Sequence, residues 1–334
     1  MQEIFIFSMV DIAAQFEYNC NEFNRLQRLW RTSMSKSTKW IVGIIVIVFG
    51  FFAIVFTVFL FVLFNEDESE EIGSGSNGTI ALIELKEQIT TSENIVRLFK
   101  KYRNDASVKG IVFRIESPGG GVSASQEIYE EVKKTRDSGK PVVVSMGSVA
   151  ASGGYYVACG GSKIIANPGT ITGSIGVISQ FIHVNDLMNK IGVRETTIKS
   201  GKFKDTGSPF RVPNDEDKKY FQSMIDDVYD QFVTVVATER KLSKEKVKLL
   251  ADGRVFTGRK AYEEKLVDTL GTYEDAIVFA AKLARISGTP KTIREKKKER
   301  LTDMLFGEMK NGVKEFKNEI LNQPILQYSL IQPY

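Results

Sequence analysis

The chain has 334 residues, of which 43% are hydrophobic and 26% are charged, and its formal net charge is +4. These values are typical of a globular protein, and the length allows one large domain or two medium ones. Two cysteines and one histidine are too few for a disulfide framework or a histidine-rich zinc site, so we expect no metal or other cofactor. Basic residues are mixed with acidic ones and form no basic face with aromatic residues between them, so nucleic acid is not an expected partner.

The first predicted element is a membrane anchor. Trp40–Phe64 contains no charged residue and exceeds the roughly 20 residues that a helix needs to cross a bilayer. An acidic stretch follows it without a small-residue cleavage site, which favours an anchor that is retained over a signal peptide that is removed. Residues 1–39 are basic near the anchor, so we expect them in the cytoplasm and residues 65–334 outside it, at the cell membrane. Residues 1–33 are either a cytoplasmic extension or an over-long gene start.

Residues 65–78 are predicted to form a flexible linker because they are rich in glycine, serine and acidic residues. From Thr79 onward, strand and helix patterns alternate. Strands are predicted at 79–85, 110–115, 141–145 and 163–166, and helices at 92–103, 125–138, 153–160, 215–239, 243–251, 260–264 and 273–286. This order predicts an α/β domain over residues 79–286, with a largely parallel sheet and flanking helices, followed by a tail at 287–334.

A run of small residues, Ser145–Tyr156, contains one hydroxyl that stands out. Ser152 follows a predicted strand and precedes two glycines, which allow the left-handed backbone of a tight turn and the close approach of a substrate. Such runs are more often a sign of tight helix–sheet packing, so this pattern alone leaves both interpretations open. A second motif, Ser117–Gly121, lacks the spacing of a dinucleotide loop and the lysine of a phosphate loop. Its backbone amides fit an oxyanion hole better.

A serine nucleophile in this chain would need an unusual base. The single histidine, His183, lies in an alternating, strand-like run and is more simply an ordinary surface residue. Lys199–Asp205 supplies three lysines; such a run is usually a solvated loop, yet lysine is the known substitute for histidine in serine hydrolases. Desolvation in an apolar pocket lowers a lysine pKa and so frees its amine to accept a proton.

Four motifs in this order behind an anchor carry a family resemblance: S-P-G-G-G, A-A-S-G-G-Y-Y, T-G-S-I-G-V and S-G-K-F-K-D. They resemble the signal peptide peptidases of the SppA type, which are serine proteases with the Clp protease/crotonase-like fold. The resemblance covers about residues 79–286. It implies that Ser152 is the nucleophile, that Lys204 is the general base and that Ser174 positions the lysine.

The resemblance also implies an oxyanion region. Gly119, Gly120 and Gly153 match it, and which of them donates is left open. Two departures from the family pattern are Phe203, where tyrosine is usual, and Lys265, where glycine is usual.

The family further implies an assembly and a substrate class. Short, half-length bacterial members resembling this chain form a dome-shaped ring, an octamer, with active sites built across subunit boundaries. The implied substrates are remnant signal peptides and other membrane-associated peptides in the lipid bilayer, cut at apolar or small residues. By analogy, Leu321–Tyr334 could bind the chain's own groove as a product-like peptide.

Two other functions remain as alternatives. A crotonase-like acyl-CoA enzyme would not need Lys204, and its chemistry is cytoplasmic. An inactive membrane scaffold would not need the complete set of Ser152, Lys204 and Ser174.

Overall fold

The structure is a computed structural model that describes residues 36–64, 69–71, 78–295 and 327–329. The chain divides into two units, residues 1–66 and 67–334. The first unit contains helix α1 (Lys36–Phe64). Within α1, Trp40–Thr57 has a mean hydropathy of 2.8 and no buried residue, so the helix is long and apolar enough to cross a membrane. It coincides with the predicted anchor. Residues 1–33, and most of the predicted linker and tail, lie outside the described residues.

The second unit is organised around a mixed, largely parallel β-sheet. The described strands of this unit are β1 (Ser69–Glu71), β2 (Thr79–Lys86), β3 (Val108–Ser117), β4 (Gly119–Gly121), β5 (Val142–Ala151), β6 (Lys163–Ala166), β7 (Ile171–Gly173), β8 (Val255–Thr257), β9 (Thr269–Leu270), β10 (Lys291–Glu295) and β11 (Gln327–Ser329). In the main sheet they follow the order β1, β10, β2, β3, β5, β6, β9, and β7 lies between the end of β5 and β8. Every pairing in the main sheet is parallel except β1 with β10 and β7 with β8. Strands β4 and β11 form a separate antiparallel pair.

Helices cover both faces of this sheet. The described helices of this unit are α2 (Glu93–Asn104), α3 (Val122–Asp137), α4 (Gly153–Ala158), α5 (Asn185–Lys190), α6 (Asp215–Arg240), α7 (Lys244–Leu250), α8 (Gly258–Glu263) and α9 (Tyr273–Leu283), and α5 has no buried residue. Successive side chains of a strand point to opposite faces. In β2, Ile80 and Leu82 pack with the alanines of α9, whereas Ala81 and Ile83 belong to the larger core with α2, α3, α4 and α6. The strands are therefore buried on both faces, as a parallel sheet requires.

Several boundaries differ from the sequence-based predictions. Strand β5 continues to Ala151 rather than ending at 145, so the small residues before Ser152 are strand residues. Helix α3 begins at Val122, and Ser125 lies inside it, where its hydroxyl donates to the Gly121 carbonyl (2.9 Å). Helix α2 begins at Glu93 rather than 92, and the hydroxyl of Ser92, the residue before it, donates to Glu127 instead of capping the helix.

The sheet also extends beyond residues 79–286. It includes β1 from the predicted linker and β10 from the predicted tail. The run around His183 is not a strand, and His183 is exposed in the loop that leads to α5. The alternation of apolar and polar residues in this run is not enough to form a strand, since the run pairs with no described strand.

Candidate active site

Ser152 occupies a strained turn between β5 and α4. Its φ of 53° and ψ of −116° are unusual for a residue with a side chain. The backbone is held on both sides, since the Ser152 amide donates to the Gly173 carbonyl (2.7 Å) and the Ser152 carbonyl accepts from the Tyr156 amide (2.8 Å). The residue is 1% exposed, and its hydroxyl makes no hydrogen bond within the described part of the chain. A strained turn from strand to helix is the geometry that one class of serine hydrolases uses to present a nucleophile.

The glycines of β4 lie against this turn. The Gly119 amide donates to the Ser117 hydroxyl (3.2 Å) and the Gly121 amide donates to a carbonyl of the loop after β2 (2.8 Å), so both are already occupied. The Gly120 amide nitrogen lies 3.2 Å from the point where a Cβ on Gly153 would stand. The amides of Gly120 and Gly153 are therefore the candidate oxyanion donors. A side chain on Gly119 would collide with the Gly153 amide at 2.7 Å, which explains why glycine is needed there.

Ser174 lies beside Ser152. Strand β7 runs parallel to the end of β5 with Ala151 opposite Gly173, so the next residue of each strand is a serine. Ser174 has a φ of 50°, donates from its amide to the Arg254 carbonyl (2.9 Å) and is 6% exposed. Its hydroxyl forms no hydrogen bond with a described residue. Two buried serines with left-handed backbones thus stand next to each other at the carboxyl edge of the sheet.

A cleft adjoins Ser174. It has a volume of about 580 Å³ and lies between the strand end, α6 and the turn before β8. Apolar side chains, among them Val177, Ile225 and Tyr229, form much of its wall, and the carboxylates of Asp226 and Asp252 are also present. The cleft gives a side chain from outside a path to the Ser174 hydroxyl.

Lys204 is not close to Ser152 within one chain. It lies in an exposed turn, and neighbouring Phe203 stacks on Tyr220 of α6 with ring centroids 5.1 Å apart. Helix α4 contacts α6 elsewhere, through Tyr156 and Phe232. Tyr220 and Phe232 are twelve residues apart, which is about 18 Å along the helix axis. The structure therefore brings together the predicted residues Ser152, Ser174, Gly119, Gly120 and Gly153, but not Lys204.

The segment that carries Lys204, residues 176–214, is here called the lysine arm. None of its residues is buried, and it exposes large apolar side chains such as Ile182 (79%) and Ile198 (96%). Of the three lysines in its turn, Lys199 pairs with Asp205 and Lys202 pairs with Glu216, whereas Lys204 has no ion pair with a described residue. The arm thus presents a free amine on an apolar, solvent-exposed surface.

Arg211 fastens the lysine arm to the start of α6. Its guanidinium donates to Asp205 (2.9 Å) and to Asp217 (2.5 Å), and the Asp217 side chain is only 2% exposed. Hydrogen bonds from Arg211 and Lys199 lower the pKa of Asp205 to about 2, and Arg211 also holds the pKa of Asp217 below its usual range. Both carboxylates stay charged at neutral pH, so the fastening is ionic.

Replacing Arg211 with methionine should release the lysine arm, because Asp217 then keeps its charge without a counterion. We expect amide hydrogen exchange in residues 199–211 to become at least about 10-fold faster, while β3 and β5 stay protected. Arg194→Met, an exposed change in the same arm, is the matched control and should leave the exchange unaltered. Equal exchange in both variants would show that Arg211 does not hold the arm.

The tail reaches the same site. Strand β11 pairs antiparallel with β4, with Tyr328 opposite Gly120. The Tyr328 side chain is fully buried and stacks on Tyr156 (5.2 Å between ring centroids, 23° between planes), close to Phe232 (4.7 Å). The groove along β4 therefore holds an extended peptide as an added strand.

Sequence reasoning missed the aromatic residues of this groove. Tyr156 belongs to the motif A-A-S-G-G-Y-Y but was not identified as a pocket residue, and Tyr129 and Phe232 carried no separate signal. The helical spacing of Phe232, Val233 and Val236 marks a buried face of α6 without indicating what that face contacts.

Two family models match this chain: peptidase family S49 over residues 134–287 and Clp protease over residues 78–171. A putative signal peptide peptidase SppA from Enterococcus faecium is 38% identical over 236 residues, which are 71% of this chain and 64% of that protein. A putative protease from Synechocystis is 51% identical over 174 residues, 52% of this chain and 62% of that protein. A putative protease from Methanocaldococcus jannaschii is 42% identical over 192 residues, 58% of this chain and 61% of that protein.

The chain spans less than two thirds of the length of each of these relatives. The two family models together cover the β-sheet from β2 to β9 and the turns that carry Ser152 and Ser174. The second unit thus has a Clp protease-like fold, and residues 134–287 match peptidase family S49.

Proposed function

We propose that this protein is a membrane-anchored serine endopeptidase in which Ser152 is the nucleophile and Lys204 is the general base. The observation that carries the proposal is the Ser152 turn, in which a buried serine without a side-chain hydrogen bond to a described residue comes directly before Gly153, and the Gly120 amide lies close to Gly153. Donors placed where negative charge develops on a carbonyl oxygen each contribute on the order of 3 kcal/mol to transition-state stabilisation. The match of residues 134–287 to a peptidase family supports a peptide carbonyl as the target.

In the proposed mechanism, the amine of Lys204 acts in both the acylation and the deacylation of Ser152. The Ser152 Oγ attacks the peptide carbonyl while its proton passes to the neutral amine of Lys204, and the Gly120 and Gly153 amides stabilise the oxyanion. The lysine ammonium then donates that proton to the leaving amine, the C–N bond breaks, and an ester to Ser152 remains. Water that is deprotonated by the same amine hydrolyses the ester, and Ser174 holds the amine in place.

We also propose that Lys204 reaches Ser152 from a second copy of the chain. Three features support this: the separation of the two residues along α6, the exposed apolar lysine arm, and the cleft that opens beside the Ser174 hydroxyl. Val177, Ile225 and Tyr229 in the wall of this cleft would desolvate the incoming amine and so lower its affinity for a proton. A closed ring repeats this contact at every subunit boundary, and the family resemblance suggests an octamer.

The proposed substrates are remnant signal peptides and other membrane-associated peptides. Helix α1 supports an anchor in the lipid bilayer, and basic residues before it with acidic residues after it favour a catalytic domain outside the cytoplasm. The pairing of β11 with β4 supports binding of substrates in extended form, which unfolded peptides adopt readily.

Covalent labelling tests the nucleophile. We expect a serine-directed fluorophosphonate to lose fluoride and form an Oγ–P bond at Ser152, which mass spectrometry locates in the peptide that contains this residue. Ser152→Ala should abolish the label, whereas Ser148→Ala, an exposed serine of β5, should keep it. A label on another serine, or none at all, would refute the proposed nucleophile.

A further inference from the structure

Strand β5 contains a bulge shortly before Ser152. Its pairing with β3 places Met146 opposite Ile115, and the next pair is Ala150 opposite Ser117. Strand β5 therefore has three residues where β3 has one. On its other side, β5 also changes partner at this point, from β6 to β7. A bulge of this kind leaves backbone groups without partners in the neighbouring strand.

The side chain of Glu116, the single residue of β3 opposite the bulge, replaces the missing partners. One of its carboxylate oxygens accepts from the Ser148 amide (2.9 Å), and the other accepts from the Val149 amide (3.0 Å). From the residue before β7, the Thr170 hydroxyl donates to the Gly147 carbonyl (2.7 Å). Because both oxygens of Glu116 accept, the side chain binds the bulge as a carboxylate, and such charge-assisted hydrogen bonds are stronger than neutral ones.

Gly147 makes room for this carboxylate. A Cβ at position 147 would lie 1.7 Å from a carboxylate oxygen of Glu116, whereas the nearest listed atom of another residue, the Ile115 carbonyl oxygen, would be 3.2 Å away. Gly147 does not have a positive φ, so its backbone conformation is open to residues with a side chain. The need for glycine at this position therefore comes from the Glu116 side chain.

The pair of residues after the bulge sets the geometry of the candidate active site. Ala150 lies opposite Ser117. Ser152 follows two residues later on one strand, and Gly119 follows two residues later on the other. A slip of β5 at the bulge would therefore move Ser152 relative to the candidate oxyanion donors. A misplacement of about 1 Å in an active site can cost roughly 100-fold in rate.

We infer that Glu116 is a positioning residue for the reaction: its carboxylate holds the bulge of β5 and so fixes the register of Ser152 against the oxyanion donors. Glu116 acts through the backbone of β5. This inference rests on the proposed function and adds a residue to the set of Ser152, Lys204 and Ser174.

Glu116→Gln in the full chain tests this role. Glutamine has one acceptor oxygen, and its NH2 group cannot accept from the second amide, so one of the two hydrogen bonds is lost. We expect kcat for an apolar fluorogenic peptide to fall roughly 10- to 100-fold, as for one hydrogen bond to a charged group, while KM changes by no more than about 2-fold. The rate at which a fluorophosphonate labels Ser152 should fall by the same factor. Glu274→Gln, the same change at an exposed position of α9, should alter none of these values.

Gly147→Ala provides an independent test, because it displaces the carboxylate without removing it. This change should lower kcat by a similar factor in the parent protein. In the Glu116→Ala background it should lower kcat by no more than about 2-fold, since the space beside the new methyl group is then vacant. This comparison keeps the test decisive even if the far-UV circular dichroism spectrum shows that Glu116→Gln folds poorly.

A lower Tm of Glu116→Gln with an unchanged kcat and an unchanged rate of labelling would overturn the inference, because Glu116 would then contribute to stability alone. Equal losses from Gly147→Ala in the two backgrounds would overturn it as well. In both cases the parent protein would still be labelled at Ser152. A parent protein that is not labelled at Ser152 would instead refute the proposed function, and the inference with it.

Discussion

Ser152→Ala and Lys204→Met should each lower kcat/KM for peptide hydrolysis by roughly 10⁴- to 10⁶-fold. The nucleophile and its base act as a unit, so the loss of either partner removes nearly all the catalysis that the pair provides. The fold should survive both changes. Ser152 makes no side-chain hydrogen bond within the described residues, and Lys204 is exposed and has no ion pair there. Steady-state kinetics together with the far-UV circular dichroism spectrum and the Tm of each variant provide the measurement.

The matched control is Lys202→Met. Lys202 lies in the same turn as Lys204 and pairs with Glu216 between two exposed side chains (60% and 58%), so its loss should change kcat/KM by no more than about 2-fold. The double variant Ser152→Ala/Lys204→Met should be no less active than the single variants. Equal losses in Lys202→Met and Lys204→Met would refute a specific role for Lys204. Full activity of Lys204→Met would favour chemistry that needs no lysine, as in the crotonase-like alternative.

The parts of the fold that depend on local sequence were predictable. Strand β6 lies at residues 163–166, as its short apolar run indicates, and α6 begins and ends within one residue of its predicted range. The Ser152 turn was also detectable, because a turn with positive φ and close backbone contacts requires small residues and glycines at consecutive positions. The oxyanion motif after β3 has the same local basis.

Long-range contacts could not be predicted in this way. The aromatic pocket that holds Tyr328 brings together Tyr129 from α3, Tyr156 from α4, Phe232 from α6 and Tyr328 from the tail, and no local pattern links these residues. The choice between Gly119 and Gly120 depended on which amide is occupied by the Ser117 hydroxyl, which is a matter of tertiary geometry. The exposed position of Lys204 could not be predicted either, because a motif specifies only the order of residues along the chain.

Mixing the two inactive variants, Ser152→Ala and Lys204→Met, should restore activity. In a mixed ring, some boundaries join a Lys204→Met copy, which has an intact Ser152, to a Ser152→Ala copy, which has an intact Lys204. With equal amounts and random order, about one quarter of the boundaries combine both, so we expect up to about a quarter of the parental kcat per subunit. A dyad within one chain would give no restoration, because no subunit then has both groups.

The control is a mixture of Ser152→Ala with the double variant, which contains no Ser152 and should stay inactive. Native mass spectrometry of differently labelled copies shows whether mixed assemblies have formed. Mixed assemblies without activity would contradict a base from the neighbouring copy. The lysine arm would then have to carry Lys204 about 18 Å along α6 within its own chain, and the ionic contacts of Arg211 with Asp205 and Asp217 would oppose that movement. In that event, Arg211→Met should increase the rate of hydrolysis, because it frees the arm to move. If the base instead comes from a neighbouring copy, the arm has to be held in place, and Arg211→Met should decrease the rate of hydrolysis.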